Sequence, residues 1–73
     1  MIWPNPASKQ LHVQLPFADA SVKIIDMRGR IVFESLVNAN NVLIPVSQLA
    51  PGTYTLRAGN GKEVVVERFV KEL

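Results

Sequence analysis

A single histidine, six carboxylates and four serines are the residues of this 73-residue chain whose types could do chemistry. Nucleophilic hydrolysis would need a serine about 3 Å from a base that a third group orients. His12 stands between Leu11 and Val13 in a run that alternates apolar and polar residues. Alternation sends it to the face opposite those aliphatics, toward solvent. None of Ser8, Ser21, Ser35 and Ser47 sits in a Gly-x-Ser-x-Gly elbow. Asp26, ahead of Met27-Arg28-Gly29-Arg30, has the right type for a general acid. An Asp at the start of a hairpin turn, however, is better used to accept from backbone N–H groups two residues on. Gly59-Asn60-Gly61 links two strand-like runs, not a strand to a helix, so it does not read as a phosphate-binding loop. One His with no Cys leaves no zinc set. The residues point away from an enzyme, and no cofactor is expected.

The elements that carry these residues follow from a period of two. Leu11, Val13 and Leu15 share one face of a strand that Pro16 ends. Val22-Lys23-Ile24-Ile25-Asp26 is the next run, with Val22 and Ile24 inward. Met27-Arg28-Gly29 reads as a three-residue hairpin loop with Gly29 at positive φ, and Arg30 to Glu34 returns antiparallel. Val42-Leu43-Ile44 is a short strand stopped by Pro45. Tyr54 to Ala58 alternates again, Asn60-Gly61 suits a two-residue hairpin turn, and Glu63 to Val70 closes the chain. No window holds a 3.6-residue period, and Val46 to Leu49 offers at most one helical turn. Short alternating runs spaced by turn residues are the pattern of an all-β antiparallel sandwich.

Composition sets the bounds. The length allows one domain, residues 1–73, and 48% hydrophobic residues make a core feasible without disulfides or metal. The net charge of +2 comes from cations spread along the chain and interleaved with carboxylates, which argues against a nucleic-acid partner. The longest apolar runs, such as Val64-Val65-Val66, are far short of the about 20 residues of a membrane span, and Met-Ile-Trp-Pro does not open a signal peptide.

Two local features carry mechanical information. In Leu49-Ala50-Pro51-Gly52-Thr53-Tyr54, Pro51-Gly52 suits the centre of a type II turn with Gly52 at positive φ. The Tyr54 hydroxyl is then expected to bond backbone a few residues upstream, as at the tyrosine corner of immunoglobulin-like sandwiches. In Trp3-Pro4-Asn5-Pro6, each proline fixes φ and biases the preceding residue toward extended geometry. Residues 1–8 therefore read as a stiff strut, the boundary to a preceding domain, which keeps the linker out of the sheet.

Four motifs, Trp3-Pro4-Asn5-Pro6, "DMRGR" at 26–30, "LAPGTYTLRA" at 49–58 and "ERFVK" at 67–71, occur in order along nearly the whole chain. Together they resemble the C-terminal sorting domain (type A) of type IX secretion substrates, found at the tail of exported Bacteroidetes proteins. The resemblance implies an immunoglobulin-like sandwich of about seven short strands. It maps the family's motifs onto Trp3, Pro4, Asn5 and Pro6; onto Asp26, Gly29 and Arg30; onto Leu49, Pro51, Gly52 and Tyr54; and onto Phe69, Val70 and Lys71. It implies a signal that takes an N-terminal cargo from the periplasm across the outer membrane to the cell surface or medium. The implied partners are the outer-membrane translocon, its shuttle proteins and a sortase-like cysteine protease that cuts upstream of the Pro-Asn-Pro segment. Family members often finish on a basic residue, whereas this chain runs on to Glu72-Leu73.

The alternative is an accessory structural or carbohydrate-binding sandwich of an extracellular enzyme, which would call for several exposed aromatics and could sit anywhere in its parent. Two further expectations concern the end of the chain. The valine-rich strand Glu63 to Val70 offers unpaired backbone through which two copies could form a dimer. Lys71 is expected to stay free to meet a partner.

Overall fold

Period-two alternation becomes seven strands in the computed structural model, which describes residues 1–73. They are β1 (Ile2–Trp3), β2 (Gln10–Gln14), β3 (Ala20–Ile25), β4 (Ile31–Val37), β5 (Asn41–Pro45), β6 (Gly52–Gly59) and β7 (Val64–Lys71). All strand pairs are antiparallel, in a three-stranded sheet ordered β1-β2-β5 and a four-stranded sheet ordered β4-β3-β6-β7. The all-β sandwich read from the sequence is the fold. Segments of three to six residues carry the chain between sheets after β2, β4 and β5, and hairpins join β3 to β4 and β6 to β7.

The two sheets bury one face each. Leu11, Val13 and Ile44 meet Val22, Ile24, Tyr54, Leu56, Ala58 and Phe69 in one core. Fully burying a side chain such as Leu11 or Ile24 is worth about 1.5–3 kcal/mol. With no disulfide, this core holds the domain together.

The outer faces differ in character. The three-stranded sheet shows Trp3, Gln10, His12, Gln14, Asn41, Leu43 and Pro45, none a permanent charge. Trp3 stacks on His12 across the strand pair, with ring centroids 5.1 Å apart and planes within 6°. His12 faces solvent as its alternation requires. The four-stranded sheet shows Lys23, Arg57 and Arg68 among Thr53, Thr55, Val64 and Val66, with Glu34 bridged to Lys23 at 3.8 Å.

Several local expectations need correction. The opening segment is not a strut held out of the sheet. Ile2–Trp3 is itself a strand, paired with His12 and Val13. Four residues later Ala7 is buried and bridges Lys71 in parallel, donating to the Val70 carbonyl at 2.8 Å and accepting from the Glu72 N–H at 2.8 Å. The first eight residues thus begin on one sheet and end on the edge of the other, which is how a sandwich closes its open side. The final hairpin is shifted by one residue. Gly61-Lys62 takes the centre between Asn60 and Glu63, with φ +92° at Gly61, and the Asn60 carboxamide accepts from the Lys62 and Glu63 N–H groups. Glycine at the first central position is what a type II′ turn demands, and the Asn60 side chain secures it from outside.

Candidate functional site

The hairpin between β3 and β4 forms as its residues dictate. The Asp26 N–H donates to the Arg30 carbonyl at 2.9 Å, and the Gly29 N–H to the Asp26 carbonyl at 3.0 Å. Gly29 has φ +86°, the left-handed position that ends a three-residue loop with a bulge. The Asp26 carboxylate organises this loop. One oxygen accepts from the Arg28 and Arg30 N–H groups at 2.9 Å each, and the other from Arg30 Nε at 3.1 Å. The Arg30 backbone N–H above all, joined by the Arg30 guanidinium and the Arg28 N–H, outweighs desolvation and holds the Asp26 carboxyl below its ordinary value of 3.8. Asp26 is thus a loop organiser, ionised at neutral pH.

The second corner packs beside this hairpin. Leu49 closes a turn by donating its N–H to the Val46 carbonyl at 3.0 Å, and its side chain packs half-buried on the core. The buried Tyr54 donates its hydroxyl to the Ala50 carbonyl at 2.6 Å, the tyrosine-corner bond expected from the sequence. Gly52 departs from the expected turn. Its φ is +155°, positive but far from the about +80° of a type II centre. Gly52 instead opens β6, opposite Lys71, in an extended conformation open to glycine alone. The tight turn lies upstream, at Val46–Leu49.

The end of the chain completes the arrangement. Phe69, 1% exposed, stacks against Tyr54 with ring centroids 5.7 Å apart and planes at 23°. Asn5, from the opening motif, reaches across to β7. Its Oδ1 accepts from the Val70 N–H at 2.9 Å, and its Nδ2 donates to the Arg68 carbonyl at 3.4 Å. Asp26, Arg30, Leu49, Ala50, Pro51, Gly52 and Tyr54 line adjoining shallow clefts at this end of the sandwich. Residues from all four sequence motifs therefore meet: Asn5 on Val70, Phe69 on Tyr54, and Tyr54 beside Asp26 and Arg30.

Four motif residues lie apart from this cluster or take a different part. Trp3 sits on the outer face of the three-stranded sheet, and Pro4 is exposed between the two sheets. Pro6 is exposed and carries the chain into the buried Ala7. Lys71 is not free. It is 5% exposed, and its Nζ donates to the Glu72 carbonyl at 2.7 Å. Its inward direction follows from Phe69 two residues earlier, and that period-two signal was present in the sequence. The sequence reading passed over Ala7 and the Ala50 carbonyl, which anchor the edge of β7 and the tyrosine corner; neither has a side chain that advertises its part.

A seven-stranded antiparallel sandwich with a tyrosine corner is an immunoglobulin-like domain. The sequence matches the secretion system C-terminal sorting domain family over residues 1–72, and the chain belongs to that family, the sorting signals of type IX secretion. The accessory-module alternative gives way to this assignment. Among solved structures the fold is similar to part of PorZ, an essential bacterial surface component of the type IX secretion system of Porphyromonas gingivalis. The TM-score is 0.83 at 21% identity, covering 100% of this chain and 11% of PorZ, so the chain spans about a tenth of that protein's length. No curated protein matches the chain in sequence.

Proposed function

We propose that this domain acts as a folded label at the end of an exported cargo, read by the outer-membrane translocon and its shuttle proteins. A sortase-like cysteine protease then separates it from the cargo, which is released or held at the cell surface after passing through the periplasm. The observation that carries the reading is the meeting of all four motifs at one end of the sandwich. A machine that handles unrelated cargos must read what they share, and a rigid end built from chain-distant motifs presents one shape only when the whole domain has folded. The part played is recognition and not catalysis. Asp26 and Tyr54, the polar side chains at its centre, spend their hydrogen bonds within their own loops.

Removing the end of β7 tests this reading. Deleting Phe69 to Leu73 takes away the Tyr54 stacking partner and the Asn5 anchor together. In a host with a working type IX system, a cargo bearing the deletion should remain in the periplasm, folded and active. Normal export of the truncated protein would overturn the reading. Two isolated copies would compete with any partner for the exposed edge of β7, so self-association belongs to this reading only at high concentration.

A further inference from the structure

β7 is an edge strand, and its two halves are treated differently. The carbonyl of Arg68, both backbone groups of Val70 and the N–H of Glu72 are held by Asn5 and Ala7. Backbone groups in a strand alternate between its two sides. The even-numbered residues of β7 therefore turn toward the open edge, and the N–H and C=O of Val64 and Val66 and the N–H of Arg68 have no neighbouring strand. Their side chains stand on the outer face, with Val64 and Val66 at 56% and 58% exposed. Beside them Arg57, directly opposite Val66, and Arg68 make no ion pair. A bare run of backbone flanked by two valines and two unpaired arginines is a template with both a ladder and a charge preference.

We propose that the free half of β7, Val64 to Arg68, docks an extended acidic segment of a partner protein, which adds to the four-stranded sheet as a fifth strand. The segment alternates aliphatic and carboxylate residues: its carboxylates lie on the outer face with Arg57 and Arg68, and its aliphatics continue the inner face beside Val65. Charge complementarity selects this occupant over a second copy. A symmetric pair centred on Val66 would gather Arg57 and Arg68 of both copies on one face. It would also need the Arg68 and Val70 groups that Asn5 and Ala7 already hold. The proposal rests on the reading of the domain as a label for a protein machine, and it names the surface that is read.

The test titrates the 73-residue domain with a capped hexapeptide of alternating valine and glutamate, followed by amide NMR shifts and hydrogen exchange. The valine–lysine peptide and a dilution series without peptide serve as comparisons. The proposal expects slowed exchange at Val64, Val66 and Arg68 with the glutamate peptide, and binding weakened about tenfold or more by Val66→Pro, whose lost N–H faces away from β6. Should Val66→Pro fail to fold, Arg68→Glu replaces it, and the preference should swing to the lysine peptide. Equal binding of both peptides, protection that follows protein concentration alone, or no binding would each overturn the proposal. A folded Val66→Pro domain that exports a fused cargo as well as the unaltered one would also overturn it, while leaving the sorting function intact. Failure of the unaltered domain to export would instead count against that function.

Discussion

Replacing Tyr54 by Phe removes one hydroxyl and leaves nearly everything else in place. The ring keeps its buried site and its stack on Phe69. What disappears is the 2.6 Å bond to the Ala50 carbonyl. Ala50 is exposed, so water can reach the freed carbonyl, and the loss should be the net worth of one hydrogen bond, about 1 kcal/mol. For a domain of 60–100 residues, a change of about 1 kcal/mol moves the melting temperature by roughly 4–8 °C. Tyr54→Ala, which also empties the core position, should cost about 3–5 kcal/mol. The total stability expected of a domain this small is only about 4–11 kcal/mol. Thermal unfolding followed by far-ultraviolet circular dichroism separates the two variants. A Tyr54→Phe domain that melts with the unaltered protein would show that the corner bond carries no stability. One that melts as low as Tyr54→Ala would show that the hydroxyl supports more than the Ala50 carbonyl.

The other residues of the site make separate predictions. Asn5→Ala frees the Val70 N–H and the Arg68 carbonyl, so hydrogen exchange at Val70 should quicken and stability fall by about 1 kcal/mol in chemical unfolding; unchanged exchange would mean the clamp is idle. Gly52→Val meets no atom within 4 Å of its new Cβ, so the whole cost is backbone strain at φ +155°, about 1–3 kcal/mol, and a change under about 0.5 kcal/mol would mean the strand start relaxes. Asp26 has a folded pKa below its ordinary 3.8, so its contribution to stability is present above that value and lost as pH falls through the folded value. Asp26→Asn should therefore flatten the acid limb of the stability curve below about pH 4; an unaltered limb would show that the carboxylate does not hold the loop.

What could be read from the sequence follows the range of the contacts. The hairpin at Asp26–Arg30 was legible because the carboxylate, the glycine and both strands lie within a few residues. Tyr54 was legible because its partner carbonyl is four residues away. The pairing of Ile2–Trp3 with β2 and the grip of Asn5 on Val70 span larger separations, and the prolines around Asn5 argue locally against a strand. At Gly52 the Pro-Gly pair favours a turn, but the ladder to Lys71 draws the glycine into β6 instead. Lys71 was misread because its charge outweighed the alternation that places it inside, where its Nζ finds the Glu72 carbonyl. Of the candidate site, the motif residues were legible one by one. Their meeting at one end was not, because each junction joins segments far apart in the chain.

The most direct measurement of the sorting function fuses residues 1–73 to the end of a periplasm-directed reporter enzyme and follows its activity in the medium, on the cell surface and in the periplasm. The comparison is between a host with a working type IX system and one lacking its outer-membrane translocon. The account predicts reporter activity outside the cell only when domain and translocon are both present, with the reporter folded and periplasmic otherwise. A reporter that stays in the periplasm of the competent host, with the attached domain folded and intact, would contradict it.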